Sequence, residues 1–194
     1  MTPMLGIMAS QISGHLSSPA FDSIATVTLT STTATVSFTG IPQTYKHLQL
    51  RWIGKSSATA YDTSDTYMQF NGDSAANYSM HYLNSNQVPT NATYGYYNSS
   101  TYDFGIGAGG TNTNANFTNQ FSVNQIDILN YTATDKYKTS QSSSGNAITG
   151  NFYSSQVRHS HNWRSTAAIT SISFAPVSSS WATNTTCALY GIKG

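Results

Sequence analysis

The chain contains no glutamate. Its acidic residues are seven aspartates against eight lysines and arginines, and charged side chains make up only 8% of its 194 residues. Eight cations in a chain of net charge +1 cannot line the basic stripe that a phosphate backbone requires, so no nucleic-acid partner is expected. The same scarcity leaves little from which to assemble clustered acids, bases or metal ligands, and the chain reads as a non-enzymatic protein. The single cysteine, Cys187, excludes an intrachain disulfide framework. It stands in the apolar run Cys187-Ala188-Leu189-Tyr190 with no histidine near it in sequence, and reads as a small buried hydrophobe. No apolar run reaches the length of a membrane-spanning helix, and no membrane partner is expected. The apolar stretch Met1–Leu16 lacks a basic leader, so a secretory signal is not expected either.

What is abundant points one way. Ser, Thr and Asn together exceed a third of the chain, and Tyr occurs 13 times. Helices draw on Glu, Lys, Ala, Leu and Arg, whereas Thr, Val, Ile, Tyr and Phe favour strands. High polarity with low net charge could also signal disorder, but an aromatic content of 12% argues for a folded core. At 38% hydrophobic, that core is thin and spread between two sheets. The length suits one β-sandwich domain.

Along the chain, Met4–Gly14 is the one Met-rich apolar piece, set off by Ser17-Ser18-Pro19. Residues 1–18 are expected to form an N-terminal docking arm, gripping through Leu5, Ile7, Met8 and Ile12, and residues 19–194 the β-domain. Phe21–Thr30 and Ala34–Phe38 look like a strand pair. His47–Lys55 alternates cleanly, with Leu48, Leu50 and Trp52 on one face and Gln49 and Arg51 on the other. Tyr67–Phe70 runs into Asn71-Gly72-Asp73, a strong turn signal, and Asn77–Leu83 is expected to return as its hairpin partner. From Asn84 to Asn119 the chain is rich in Gly, Asn, Ser, Thr and Tyr, and predicts a long loop region with one weak strand at most. Phe121 and Val123 alternate out of phase with Ile126 and Ile128, which predicts a β-bulge near Asn124. Tyr137–Ser142 and Phe152–Trp163 read as strands flanking the turn-rich Ser143-Ser144-Gly145-Asn146. Ala168–Phe174 and Thr186–Ile192 close the domain. Eight to ten strands punctuated by turns predict an all-β fold, an antiparallel β-sandwich that is jelly-roll-like.

Few constellations could carry chemistry. His159 and His161 share one strand face, but a metal needs a third ligand and usually a fourth; they read as a satisfied or interfacial pair. Asp62, Asp65 and Asp73 lie in polar loops whose spacing fits no calcium motif, and Asp is a routine turn residue. No cofactor is expected. Asp103 and Asp127 are not paired by anything in the sequence for glycoside hydrolysis, and Asp127 between two isoleucines reads as structural. More suggestive is Tyr94, Tyr96 and Tyr97 with Tyr102 and Phe104. Tyr amid Ser, Gly and Asn is the composition of recognition loops, because Tyr brings contact area at low entropic cost. Sugar binding, a subunit contact, or a loop folded over the sandwich all suit it.

Several segments together resemble small β-rich virion structural proteins of tailed bacteriophages, particularly of cyanophages. They are Met4–Gly14, Phe21-Asp22-Ser23-Ile24-Ala25-Thr26-Val27, Ile41–Arg51, Phe70-Asn71-Gly72-Asp73, Asn77-Tyr78-Ser79, Ile126–Tyr131 and the ending Ala188-Leu189-Tyr190-Gly191-Ile192-Lys193-Gly194. The resemblance covers most of the chain, leaves out roughly Asn84–Asn119, and brings no catalytic residues. It implies a virion location, partners among other virion proteins, and a homotrimer. The leading expectation is a capsid decoration (cement) protein that binds and stabilises the major capsid protein shell. The alternative is a tail fibre or baseplate adhesin, partnered by tail proteins, in which Tyr94–Phe104 would bind host surface polysaccharide.

Overall fold

A computed structural model of the chain describes residues 20–58, 66–86, 92–99, 119–146, 155–177 and 179–194. Among these residues there is no helix. The strands are β1 (Phe21–Thr28), β2 (Val36–Phe38), β3 (His47–Gly54), β4 (Thr66–Phe70), β5 (Tyr78–Asn86), β6 (Ala92–Ser99), β7 (Ser122–Leu129), β8 (Lys138–Asn146), β9 (Ser155–Trp163), β10 (Ile172–Pro176) and β11 (Thr186–Ile192). They form an eight-stranded sheet in the order β1-β11-β3-β7-β8-β9-β5-β6 and a three-stranded sheet in the order β2-β10-β4. The pairings are antiparallel throughout.

Alternation decides which face is buried. In β3, Leu48, Leu50 and Trp52 are at most 2% exposed while Ile53 is 54% exposed, because successive side chains leave a strand on opposite sides. The three-stranded sheet lies over this inner face. Phe174 of β10 meets Trp52 of β3 with ring centroids 5.4 Å apart, and Phe70 of β4 meets Trp163 of β9 at 5.5 Å. Phe38 and Trp181 complete an aromatic cluster around Phe174, at 6.3 and 5.7 Å. The antiparallel two-sheet sandwich that composition predicts is therefore present. Its strands divide eight and three, and this order does not confirm a jelly roll.

The inner face changes character across the large sheet. On β11, β3 and half of β7 it is apolar, with Cys187, Leu189, Leu48, Leu50, Ile126 and Ile128 fully buried. On β8 the inward residues are Lys138, Ser140, Ser142 and Ser144, all at most 4% exposed. Lys138 is tolerated there because its ammonium donates to three carbonyls, Ala133 at 2.6 Å, Lys136 at 3.1 Å and Thr166 at 3.2 Å. Burial still holds its pKa below the usual lysine value, as desolvation disfavours the charged form.

Several local expectations are corrected. Phe21–Thr30 and Ala34–Phe38 do not pair with each other: β1 pairs β11 and β2 pairs β10, in different sheets. The Asn71-Gly72 turn forms, with φ of +55° and +67°, but not as a hairpin. β4 pairs β10, whereas β5 pairs β9 and β6, so the turn carries the chain from one sheet to the other. The Asn71 side chain anchors it, donating to Ala168 O at 2.8 Å and accepting from Thr170 N at 2.8 Å. No bulge occurs at Asn124. β7 keeps regular register with β3 and β8, and the apparent phase slip arises because Val123, 62% exposed, faces outward while Asn124 is buried. A register shift falls instead between Ser23 and Ala25 on edge strand β1, where bulges are common and discourage edge pairing. Ser143-Ser144-Gly145-Asn146 is strand, not turn.

Gly191 is required by close packing. A Cβ on it would lie inside the van der Waals envelope of the Tyr45 ring.

Candidate functional site

The residues singled out from sequence scatter. Leu5, Ile7, Met8 and Ile12 lie outside the described residues, as do Asp62, Asp65, Tyr102, Asp103 and Phe104. Tyr94, Tyr96 and Tyr97 belong to strand β6 rather than a loop, with Tyr94 opposite Tyr82 and Tyr96 opposite Met80. Asp73 is structural. It accepts from Asn77 Nδ2 at 2.9 Å, Trp163 Nε1 at 2.7 Å and Ala75 N at 2.9 Å. Burial raises its pKa, but these donors outweigh that effect and hold the carboxyl below its ordinary value.

His159 and His161 do share the inner face, 5% and 2% exposed. Their rings stack at 5.4 Å with planes 13° apart, and the His159 ring also meets Tyr82 at 5.2 Å. Ser140 Oγ lies 3.3 Å from His161 Nδ1. Burial, and then the neighbouring His161, push the His159 pKa down to about 3, so His159 is neutral at physiological pH. Among the described residues, no group of three His, Cys or Asp side chains converges as a metal site would require. Cys187 is buried, and burial pushes its thiol pKa up to about 12. That is the opposite of what a nucleophilic thiol needs.

The surface that does bring groups together is the outer face of the large sheet, which sequence reasoning did not single out. Strand register builds it row by row. One row is Tyr190, Gln49, Asp127, Gln141 and Ser160, and the next is Ala188, Arg51, Gln125, Ser143 and Arg158. Gln49 Nε2 donates to Asp127 Oδ1 at 2.5 Å and Gln125 Nε2 to Oδ2 at 3.2 Å. Arg51 Nε donates to Gln49 Oε1 at 2.5 Å. The Arg51 guanidinium also lies over the rings of Tyr190 and Phe21, at 5.1 and 5.7 Å, a cation–π arrangement that fixes the head of this network.

Two concavities flank it. A polar trough of about 460 Å³ runs over β7, β8 and β9, with Gln125, Asp127, Gln141, Ser143, Gln156 and Arg158 in its lining. A smaller hollow of about 260 Å³ includes Ile53, Val123, Thr186 and Ala188. Of the six large apolar or aromatic side chains left exposed among the described residues, all but Tyr137 lie on this face, and Ile53 and Val123 are directly opposite each other. Phe21, Ile53, Leu83, Val123 and Leu129 are 44–62% exposed, and their register places all five on this face. The signal for the face is in the sequence as Gln49-x-Arg51, Gln125-x-Asp127 and Gln156-x-Arg158. Which strands stand side by side is not.

Comparison with known proteins adds no relationship. No family model matches the chain, and no curated protein matches it. Among solved structures, a protein of unknown function from Shewanella oneidensis MR-1 is 11% identical, with 91% of this chain and 77% of that chain covered, at a TM-score of 0.23. A structure from work on botulinum neurotoxin type C, whose cell entry depends on two ganglioside molecules, is 8% identical and covers 88% and 42% at a TM-score of 0.22. A candidate pore-forming toxin from Bacteroides vulgatus is 10% identical, covering 82% and 56% at 0.11. Likenesses at these scores carry no argument about fold or function.

Proposed function

We propose that this chain is a non-enzymatic structural protein of a tailed-phage virion, a decoration (cement) protein that docks on the major capsid shell as a homotrimer. One observation supports a docking role above others: Ile53 and Val123, more than half exposed, stand directly opposite each other on β3 and β7 at the hollow of about 260 Å³ that Thr186 and Ala188 also line. An exposed apolar pair set in a concave surface suits burial against a partner, since removing it from water is favourable. Fully burying a side chain of this size contributes roughly 1.5–3 kcal/mol, and these are already about half covered, so each adds about half of that. Repetition over many copies of a shell turns such modest contacts into firm attachment. In this reading the arm through Leu5, Ile7, Met8 and Ile12 supplies a second grip.

The test is co-sedimentation of the purified protein with particles of the encoding phage stripped of it. Wild type should saturate the heads. Ile53→Lys with Val123→Asp should weaken attachment at least tenfold with an unfolding midpoint close to that of wild type, because both side chains are more than half exposed and opposite charges suit directly paired positions. Unchanged attachment of the variant, or none by wild type, would contradict the proposal. The tail-adhesin reading draws its support from a different observation, the polar trough beside this apolar patch, and attachment confined to tails would favour it.

A further inference from the structure

We propose that the trough across β7, β8 and β9 is a binding site for a short neutral saccharide. The inference rests on the trough itself and holds whether the chain sits on head or tail.

The shape comes from side-chain size. Along the outer face of β8 the residues are Gln141, Ser143 and Gly145, so the floor falls away toward Gly145. Register sets Ser143 between Gln125 and Arg158, and Gly145 between Val123 and Gln156. Long side chains on both neighbouring strands therefore wall a channel that runs along β8. From the Gln141 row to the Gly145 row is four residues, about 13 Å at ~3.3 Å per residue, a length that suits two or three sugar rings. Its volume of about 460 Å³ lies within the ~300–1,000 Å³ of ordinary ligand sites.

The chemistry selects the ligand. The lining offers one carboxylate (Asp127), one guanidinium (Arg158) and the amides of Gln125, Gln141 and Gln156. The two charges cancel. An anionic ligand would face Asp127 and a cationic one Arg158, whereas hydroxyls that both donate and accept can satisfy every group. Each Asp127 oxygen already takes one amide N–H, from Gln49 and from Gln125, and keeps acceptor capacity for a sugar hydroxyl. Val123, 62% exposed in the Gly145 row, supplies an apolar edge for the C–H side of a ring. Every group stands in the interior of the sheet rather than on a loop, with the carboxylate held from two sides, so little ordering is left to be done on binding.

The experiment uses the full chain, with saturation-transfer NMR and calorimetry against cellotriose, maltotriose and tri-N-acetylchitotriose, and tri-galacturonate as the charged comparison. At least one neutral trisaccharide should bind with a dissociation constant in the millimolar range or tighter. Arg158→Ala should weaken it about tenfold. Ser143→Trp, which fills the floor from an exposed position, should abolish it while the far-UV spectrum and unfolding midpoint stay as in wild type. The proposal is overturned if none of the three neutral sugars binds, if tri-galacturonate binds tighter than all of them, or if Ser143→Trp binds as wild type does.

Discussion

Replacing Phe174 by alanine removes a central side chain of the contact between the two sheets. Phe174 is fully buried on the middle strand of the small sheet and touches the rings of Phe38, Trp52 and Trp181. Core Phe→Ala changes cost about 3–5 kcal/mol. Three aromatic contacts, each worth ~0.5–1.5 kcal/mol beyond buried area, place this site toward the upper end. Phe174→Leu keeps most of the apolar volume and loses chiefly the ring contacts, so about 1.5–3 kcal/mol is expected. The comparison is Phe21→Ala, at a side chain 44% exposed on the outer face, where less than about 1 kcal/mol is expected. Urea unfolding followed by tryptophan fluorescence is the assay, since Trp52 and Trp181 flank the site. The midpoint should fall with little change in denaturant dependence. With domains stable by only ~5–15 kcal/mol, the alanine variant should be conspicuously weakened. A Phe174→Ala cost no larger than that of Phe21→Ala would refute the packing of the small sheet on the large one.

Gly191→Ala should destabilise by about 1–3 kcal/mol, the usual cost of overpacking a filled site, and Tyr45→Ala in the same chain should recover part of it; thermal unfolding of the single and double variants decides, and additive losses would contradict the close contact. His159 titrates near 6.5 when unfolded and at about 3 when folded, so the unfolded chain binds more protons in that window and stability falls as pH drops from 6.5 toward 3, by up to about 1.4 kcal/mol per pH unit. His159→Gln should flatten that slope, and parallel wild-type and variant curves between pH 6.5 and 4 would refute the burial of a neutral imidazole. Cys187 should resist thiol reagents in the native protein at pH 8 and react once unfolded; fast native labelling would contradict its burial.

Strand identity was legible where alternation was clean. His47–Lys55 and Thr186–Ile192 emerge as β3 and β11 with nearly the same bounds, because apolar residues recur at every second position on their inner faces, Leu48, Leu50 and Trp52 in one and Cys187 and Leu189 in the other. Pairing was not legible. Asn71-Gly72 carries the local signature of a hairpin, and nothing within a few residues says that the strands on either side enter different sheets. Ser143–Asn146 read as turn because Ser, Gly and Asn are turn formers, yet here their small size suits β8, packed between β7 and β9. Val123 departs from the pattern for a related reason: an apolar residue on a half-buried strand ordinarily points inward, and here the inward position belongs to Asn124.

The outer face was hidden for the same reason. Its polar residues are visible one strand at a time, but Gln49, Gln125 and Asp127 become a network only when β3 and β7 are neighbours. The histidine pair shows the converse. Its common face was predictable from spacing alone, while its burial and the depressed pKa of His159 come from the surrounding sheet.

The central claim is that this chain is a shell-bound virion protein, and immunogold electron microscopy of intact particles with antibody against it addresses that claim most directly. Dense label over the head is the predicted result. Label confined to the tail, or particles free of label, would contradict it.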